Sequence, residues 1–201
     1  SLLFLSVLLH ELAHSFVAMG EGLKVRDITL FFLGGMANLE KECTTSKGSL
    51  KIAISGPFVS LLLAFLMIFL SNNLSVSNLI FSNLFKQVGS LNLLIGLFNL
   101  LPIIPLDGGV ILKSLIWHFT GSKRAGIKVA IASARLISFV AVLFGIISLL
   151  RGNLYVAFSF FIIALFIFSS SKSQSQIIQI QKILSEVNVN QIFSRSFRVL
   201  E

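Results

Sequence analysis

His10-Glu11-Leu12-Ala13-His14 have the spacing of a zinc-binding pair, and they stand inside an apolar opening segment, residues 1–19. On a helix, positions i and i+4 share one face, so both imidazoles can reach one divalent cation. Glu11 then lies beside the cation as a proton acceptor, the arrangement of metal-dependent hydrolysis. A histidine pair held by hydrogen bonds to neighbouring helices, with no metal, would use the same residues. Three ionisable side chains in one apolar helix are costly, and that cost favours function.

A second group closes the third long apolar run: Asn99-Leu100-Leu101-Pro102-Ile103-Ile104-Pro105-Leu106-Asp107-Gly108-Gly109. The prolines must break the helix, and the glycines permit a tight turn. Broken backbone at membrane depth is tolerated where it is buried in protein or lines a wet cavity, so the break delivers Asp107 to a defined point. Of the eight acidic residues, only Glu11 and Asp107 lie in or at the edge of an apolar run. A catalytic zinc takes three protein ligands and keeps one position open for water, and Asp107 is the available third beside His10 and His14. His118, the remaining histidine, sits between Trp117 and Phe119 and reads as part of an interfacial aromatic belt rather than as a ligand.

The elements that must hold these groups are membrane spans. Over 201 residues the chain is 55% hydrophobic and 12% charged, with a mean hydropathy of +0.94, which excludes an ordinary soluble domain. The net charge of +8 comes with no patch of interleaved basic and aromatic residues, which argues against nucleic acid as a partner. Cys43 is the single cysteine, so no internal disulfide exists. The expected fold is an all-α polytopic membrane protein with about five transmembrane helices, over 1–19, 52–70, 84–101, 129–150 and 154–168. Each is close to the ~20 residues that cross a bilayer. The chain opens at Ser1, already inside an apolar run and without methionine, so one leading helix is expected to be missing. Residues 1–170 form the expected membrane domain and 171–201 a cytoplasmic tail or linker.

Lys24, Arg26, Lys41, Lys47 and Lys51 flank the first gap between spans, and Lys113, Lys123, Arg124 and Lys128 flank the third. The positive-inside rule makes both gaps cytoplasmic and puts the metal site toward that face. Within the first gap, Ile28-Thr29-Leu30-Phe31-Phe32-Leu33 is β-branched and aromatic, followed by Gly34-Gly35. A short interfacial β-hairpin over 26–40, turning at those glycines, is expected. Its edge could accept an extended substrate strand, although a structural lid would need the same residues.

Taken in order, these groups resemble the site-2 protease family of intramembrane zinc metalloproteases, in which a HExxH helix and an LDG motif on a later, broken helix jointly bind zinc. His10 to His14, Gly34-Gly35, Ser55-Gly56-Pro57 and Asn99 to Gly109 follow the family's order over residues 1–110, while the last two spans match only as apolar segments. Residues 187–201 resemble the lead-in to the paired CBS domains of some members. The resemblance implies one Zn²⁺ on His10, His14 and Asp107, with Glu11 as the base and Asn99 as a catalytic amide near the oxyanion. Asn99 could equally cap the helix end that Pro102 breaks. Gly34, Gly35, Gly56, Pro102 and Pro105 are the expected substrate-binding residues; Gly56 with Pro57 and Ser60 could shape the substrate groove, although close helix packing through small residues is the simpler account of those three. The implied partners are the lipid bilayer and a single-pass transmembrane substrate, a membrane-tethered regulator; the oligomeric state is open. Three other readings share these features. A metal-binding transporter would show repeated halves, which this chain lacks. An inactive scaffold would be expected to lose Glu11 or a ligand, and a binding module would need no zinc.

Overall fold

A computed structural model of the chain describes residues 2–31, 34–39, 43–73 and 79–186. Among them are six helices and one two-stranded sheet, in the order α1 (Leu2–Gly20), β1 (Val25–Phe31), β2 (Gly34–Leu39), α2 (Ser46–Asn73), α3 (Leu79–Asn99), α4 (Asp107–Thr120), α5 (Lys123–Leu150) and α6 (Leu154–Glu186).

Helix α1 buries its polar stripe and exposes its apolar one. Ser6, His10, Glu11, Ser15 and Ala18 are buried, whereas Leu2, Phe4, Leu5, Phe16 and Met19 are exposed. That inversion suits a helix with lipid on one side, because ionisable groups are kept against protein. The helix ends at Gly20, and Gly22, with φ of +79°, lets the Leu23 N–H reach back to the Ala18 carbonyl at 3.0 Å.

Strands β1 and β2 pair antiparallel from Val25 opposite Leu39 to Phe31 opposite Gly34, with a register shift between Val25 and Asp27. Gly34 and Gly35 therefore belong to β2 rather than to a turn, and residues 32 and 33 lie outside the described residues. Glycine weakens a strand interior, but it keeps its backbone donor and acceptor and can therefore still pair in a ladder.

Helix α2 begins before the expected span, where Thr45 Oγ1 accepts the Gly48 N–H at 3.1 Å, and it carries Pro57 in its interior. Its buried face is a row of small residues that includes Ser49, Ala53, Gly56, Ser60 and Ala64. Helix α3 lies close against that row: a Cβ on Gly89 would stand 2.8 Å from Ile68, and one on Gly96 would stand 2.9 Å from Leu61. Asn92 ties α3 to α1, its Nδ2 donating to Ser6 Oγ at 2.8 Å. The separate helix α4 was not resolved from sequence pattern, since its 14 residues are too few for a crossing. A bond of 2.8 Å between Ser49 and Ser114 hydroxyls joins it to α2.

The chain divides into two compact units, the first ending at Ile137 within α5. In the second unit, Ser138 Oγ donates to the Ala164 carbonyl at 2.9 Å, and Phe144 stacks on Phe160. Among the described residues, three helices are long and apolar enough to cross a membrane: α2, α5 and residues 154–172 of α6. These mark an integral membrane protein. Of the other two expected spans, α1 offers a shorter apolar stretch, Phe4–Gly20, and α3 carries Asn83, Lys86, Gln87 and Asn92. Helix α6 continues to Glu186, well past the expected end of its span.

Candidate metal centre

The two histidines of α1 and the first residue of α4 meet. His10 Nε2 lies 3.1 Å from Asp107 Oδ2, His14 Nε2 lies 3.3 Å from Asp107 Oδ1, and the two Nε2 atoms are 3.2 Å apart. Four ligands about 2.0 Å from a zinc ion occupy the corners of a tetrahedron with edges of about 3.3 Å. The two imidazole nitrogens have the spacing of one such edge, each lies near one carboxylate oxygen of Asp107, and one ligand atom from each of the three residues falls within 4.8 Å of the others, so the three groups can face one cation.

The outer ring nitrogens decide what points into that face. His14 Nδ1 lies 2.7 Å from the Ile52 carbonyl oxygen, which also accepts the Ser55 hydroxyl at 2.7 Å. A carbonyl can only accept, so Nδ1 carries the hydrogen, and Nε2 of a neutral ring presents a bare lone pair. His10 Nδ1 lies 2.9 Å from Ser60 Oγ, a contact that permits the same tautomer. Bare nitrogens facing a carboxylate repel unless a proton or a cation lies between them. The donor set, two imidazoles and a carboxylate, suits a borderline-soft divalent cation such as zinc.

Asp107 arrives by a broken path. Helix α3 ends at Asn99, and the chain folds through short backbone bonds, Ile103 N–H to Leu101 O and Leu106 N–H to Ile103 O, both 2.7 Å. Ile103 and Ile104 are buried beneath it. Two glycines admit this fold: a Cβ on Gly108 would overlap the Leu100 and Leu101 carbonyl oxygens, and one on Gly109 would stand 2.5 Å from the Ile103 carbonyl carbon. Ser133 on α5 holds the segment by donating to the Pro102 carbonyl at 2.6 Å. Asp107 then opens α4, where the helix dipole favours a carboxylate.

Around the three groups, Glu11 is buried at 8% exposure, one residue from His10. Asn99 Nδ2, a donor, lies 3.4 Å from His10 Nε2. Gly56 faces both imidazoles: a Cβ there would stand 2.6 Å from His10 Nε2 and 2.6 Å from His14 Cε1. Of the remaining sequence candidates, Gly34 and Gly35 enter as paired backbone of β2. Pro102 is half-buried with its carbonyl on Ser133, and Pro105 is exposed. His118 stands outside the cluster, its Nδ1 3.4 Å from Ser46 Oγ. The Ile52 carbonyl and the Ser60 hydroxyl were not recognised from sequence as partners of the histidines. Their one legible signal is the small polar and glycine positions at helical spacing in an apolar span.

Residues 1–80 and 72–144 match the profile of peptidase family M50. A relative from Synechocystis sp., provisionally named a zinc metalloprotease, is 39% identical over 75% of this chain and 39% of its own length. A zinc metalloprotease of Methanocaldococcus jannaschii is 31% identical over 96% of this chain and 54% of its own length. The chain therefore spans about half the length of the curated relatives it matches. The solved structure of a site-2 protease from Methanocaldococcus jannaschii superposes with a TM-score of 0.62 at 32% identity, covering 96% of this chain and 80% of that one.

Proposed function

The chain belongs to peptidase family M50, and from that premise we propose that it is a zinc-dependent intramembrane endopeptidase of the site-2 protease type. Its substrate is a membrane-tethered regulatory protein, cut in or near its single transmembrane helix. The observation that carries this reading is the convergence of His10 Nε2, His14 Nε2 and Asp107 at 3.1 to 3.3 Å. These three residues would hold one zinc ion. When bound, zinc supplies a Lewis acid for the scissile carbonyl and brings water within reach of deprotonation near neutral pH.

The other steps belong to the chain's own side chains. Glu11 takes the proton of the attacking water and passes it to the leaving amide nitrogen. Burial of Glu11 keeps bulk water from competing for that proton. The Asn99 amide, already a donor beside His10, turns to the oxyanion that develops on the scissile carbonyl. A transmembrane helix pairs its own amides, so the substrate must unwind before it can be cut. Helix-breaking or polar residues in the substrate ease that step. The edge of the β1–β2 sheet, with Gly34 and Gly35, receives the extended segment by backbone pairing. Gly56, Pro102 and Pro105 border its path. The three crossing helices and the placement of Lys and Arg in the loops support a multi-pass protein with its site toward the cytoplasm.

The test is cleavage of a co-expressed model transmembrane substrate by wild type and by Glu11→Gln, with zinc measured on both purified proteins. Wild type should cut, Glu11→Gln should be slower by at least ~10²-fold, and each should carry zinc. Zinc in both without cleavage by either would favour a transporter or an inactive scaffold of the same fold. Absence of zinc from both would remove the ligand assignment.

A further inference from the structure

Ile52, Gly56 and Ser60 recur every fourth residue along α2 and so share one face. Each answers one part of the histidine pair on α1. The Ile52 carbonyl is 2.7 Å from His14 Nδ1, Gly56 leaves the room that both Nε2 atoms occupy, and Ser60 Oγ is 2.9 Å from His10 Nδ1. The two histidines are nevertheless held unequally. A carbonyl leaves His14 one tautomer, whereas a hydroxyl can accept from His10 Nδ1 or donate to it. Donation would put the His10 hydrogen on Nε2 and aim it at the cluster, closing a ligand position.

Ser60 is 0% exposed and faces the seam with α3, where a Cβ on Gly96 would be 3.4 Å from Ser60 Cβ. Packing of that seam would be served by alanine, which buries no hydroxyl and so incurs no desolvation cost. The hydroxyl does have a partner, and that partner is His10 Nδ1. We propose that Ser60 is a positioning residue of the metal centre: its Oγ accepts the Nδ1 hydrogen of His10, holding the ring in the tautomer and orientation that leave Nε2 bare. This rests on the reading of His10, His14 and Asp107 as the zinc ligands. Outer partners of this kind typically change metal affinity by 10–100-fold.

The test measures zinc affinity of the full chain in detergent by competition with a chromophoric chelator. The Co²⁺-loaded absorption spectrum reports ligand geometry, and circular dichroism and thermal melting report the fold. Ser60→Ala should bind zinc roughly 10–100-fold more weakly, with shifted Co²⁺ bands and unchanged helix content. Ser60→Thr and Ser60→Val have nearly the same size and differ by the hydroxyl, and Gly96 opposite them has no side chain to collide with. Threonine should recover most of the affinity, and valine should behave as alanine does. Ser71→Ala, a buried α2 serine bonded to the Ser82 carbonyl, should bind zinc as wild type does. Equal affinities in the threonine and valine variants, or a Ser60→Ala protein within about twofold of wild type, overturn the inference alone. A wild-type protein that binds no zinc overturns the ligand assignment and this inference with it.

Discussion

Gly56→Ala should empty the metal centre while leaving the chain folded. The new Cβ would stand 2.6 Å from His10 Nε2 and 2.6 Å from His14 Cε1, whereas ordinary contact begins at 3.4 Å. The His10 ring must therefore retreat by about 0.8 Å, the difference of those two distances, and the His14 ring by more, because its Nε2 is the atom nearest the new Cβ; a metal site tolerates only ±0.2 Å in its ligand distances. The rings cannot retreat independently, because Ile52 O and Ser60 Oγ hold their Nδ1 atoms on the same helix that gains the methyl group. Zinc affinity should fall at least ~100-fold, the upper end of what outer-sphere changes produce, which corresponds to about 2.7 kcal/mol. The fold should lose far less. Alanine gains about 1 kcal/mol over glycine inside a helix, and overpacking costs about 1–3 kcal/mol, so the net loss is at most about 2 kcal/mol. Elemental analysis and chelator competition on the purified variant, beside its thermal melt, measure both quantities. A Gly56→Ala protein with wild-type zinc affinity would show that α2 does not approach the imidazoles as closely as described, and the geometry of the centre would have to be redrawn.

Two further substitutions separate chemistry from scaffolding. Asn99→Ala should retain zinc and lose ~10²–10³-fold in kcat with little change in KM, measured on the model substrate; an unchanged kcat would leave Asn99 only a helix-end role. Gly108→Ala should disturb the centre from a distance, because its Cβ overlaps the backbone carbonyl oxygens of Leu100 and Leu101 and neither can yield without moving the segment that ends at Asp107. The expected result is a lower yield of folded protein, with zinc lost from what is recovered; wild-type yield and zinc content would refute it.

The second unit begins at Ser138. Its interior is built from small side chains and aromatic rings, with a Cβ on Gly145 reaching 3.0 Å from Phe161. Only its apolar character was visible in sequence, because tight helix packing in a membrane selects for small residues at positions that no local pattern specifies.

What the sequence determined by itself was the local chemistry and the kind of element bearing it. His10 and His14 share a face because the α-helix has 3.6 residues per turn, and that holds wherever the helix lies. Pro102 and Pro105 had to break the chain, and Gly108-Gly109 had to allow a close approach, because ring closure and the absence of Cβ act within a residue or two. Apolar run length marked the long helices α2, α5 and α6, although it blurred their ends and passed over α4. Only the tertiary structure decided which nitrogen of each imidazole faces inward. That choice rests on partners 38 and 50 residues away, the Ile52 carbonyl and the Ser60 hydroxyl, and on a carboxylate 97 residues from His10. One partner is a backbone atom that every residue possesses, and the other is a serine like its many neighbours. A helix period says which residues share a face, but it does not say which helix that face will meet, and the candidate metal site is assembled only where α1, α2 and the start of α4 meet.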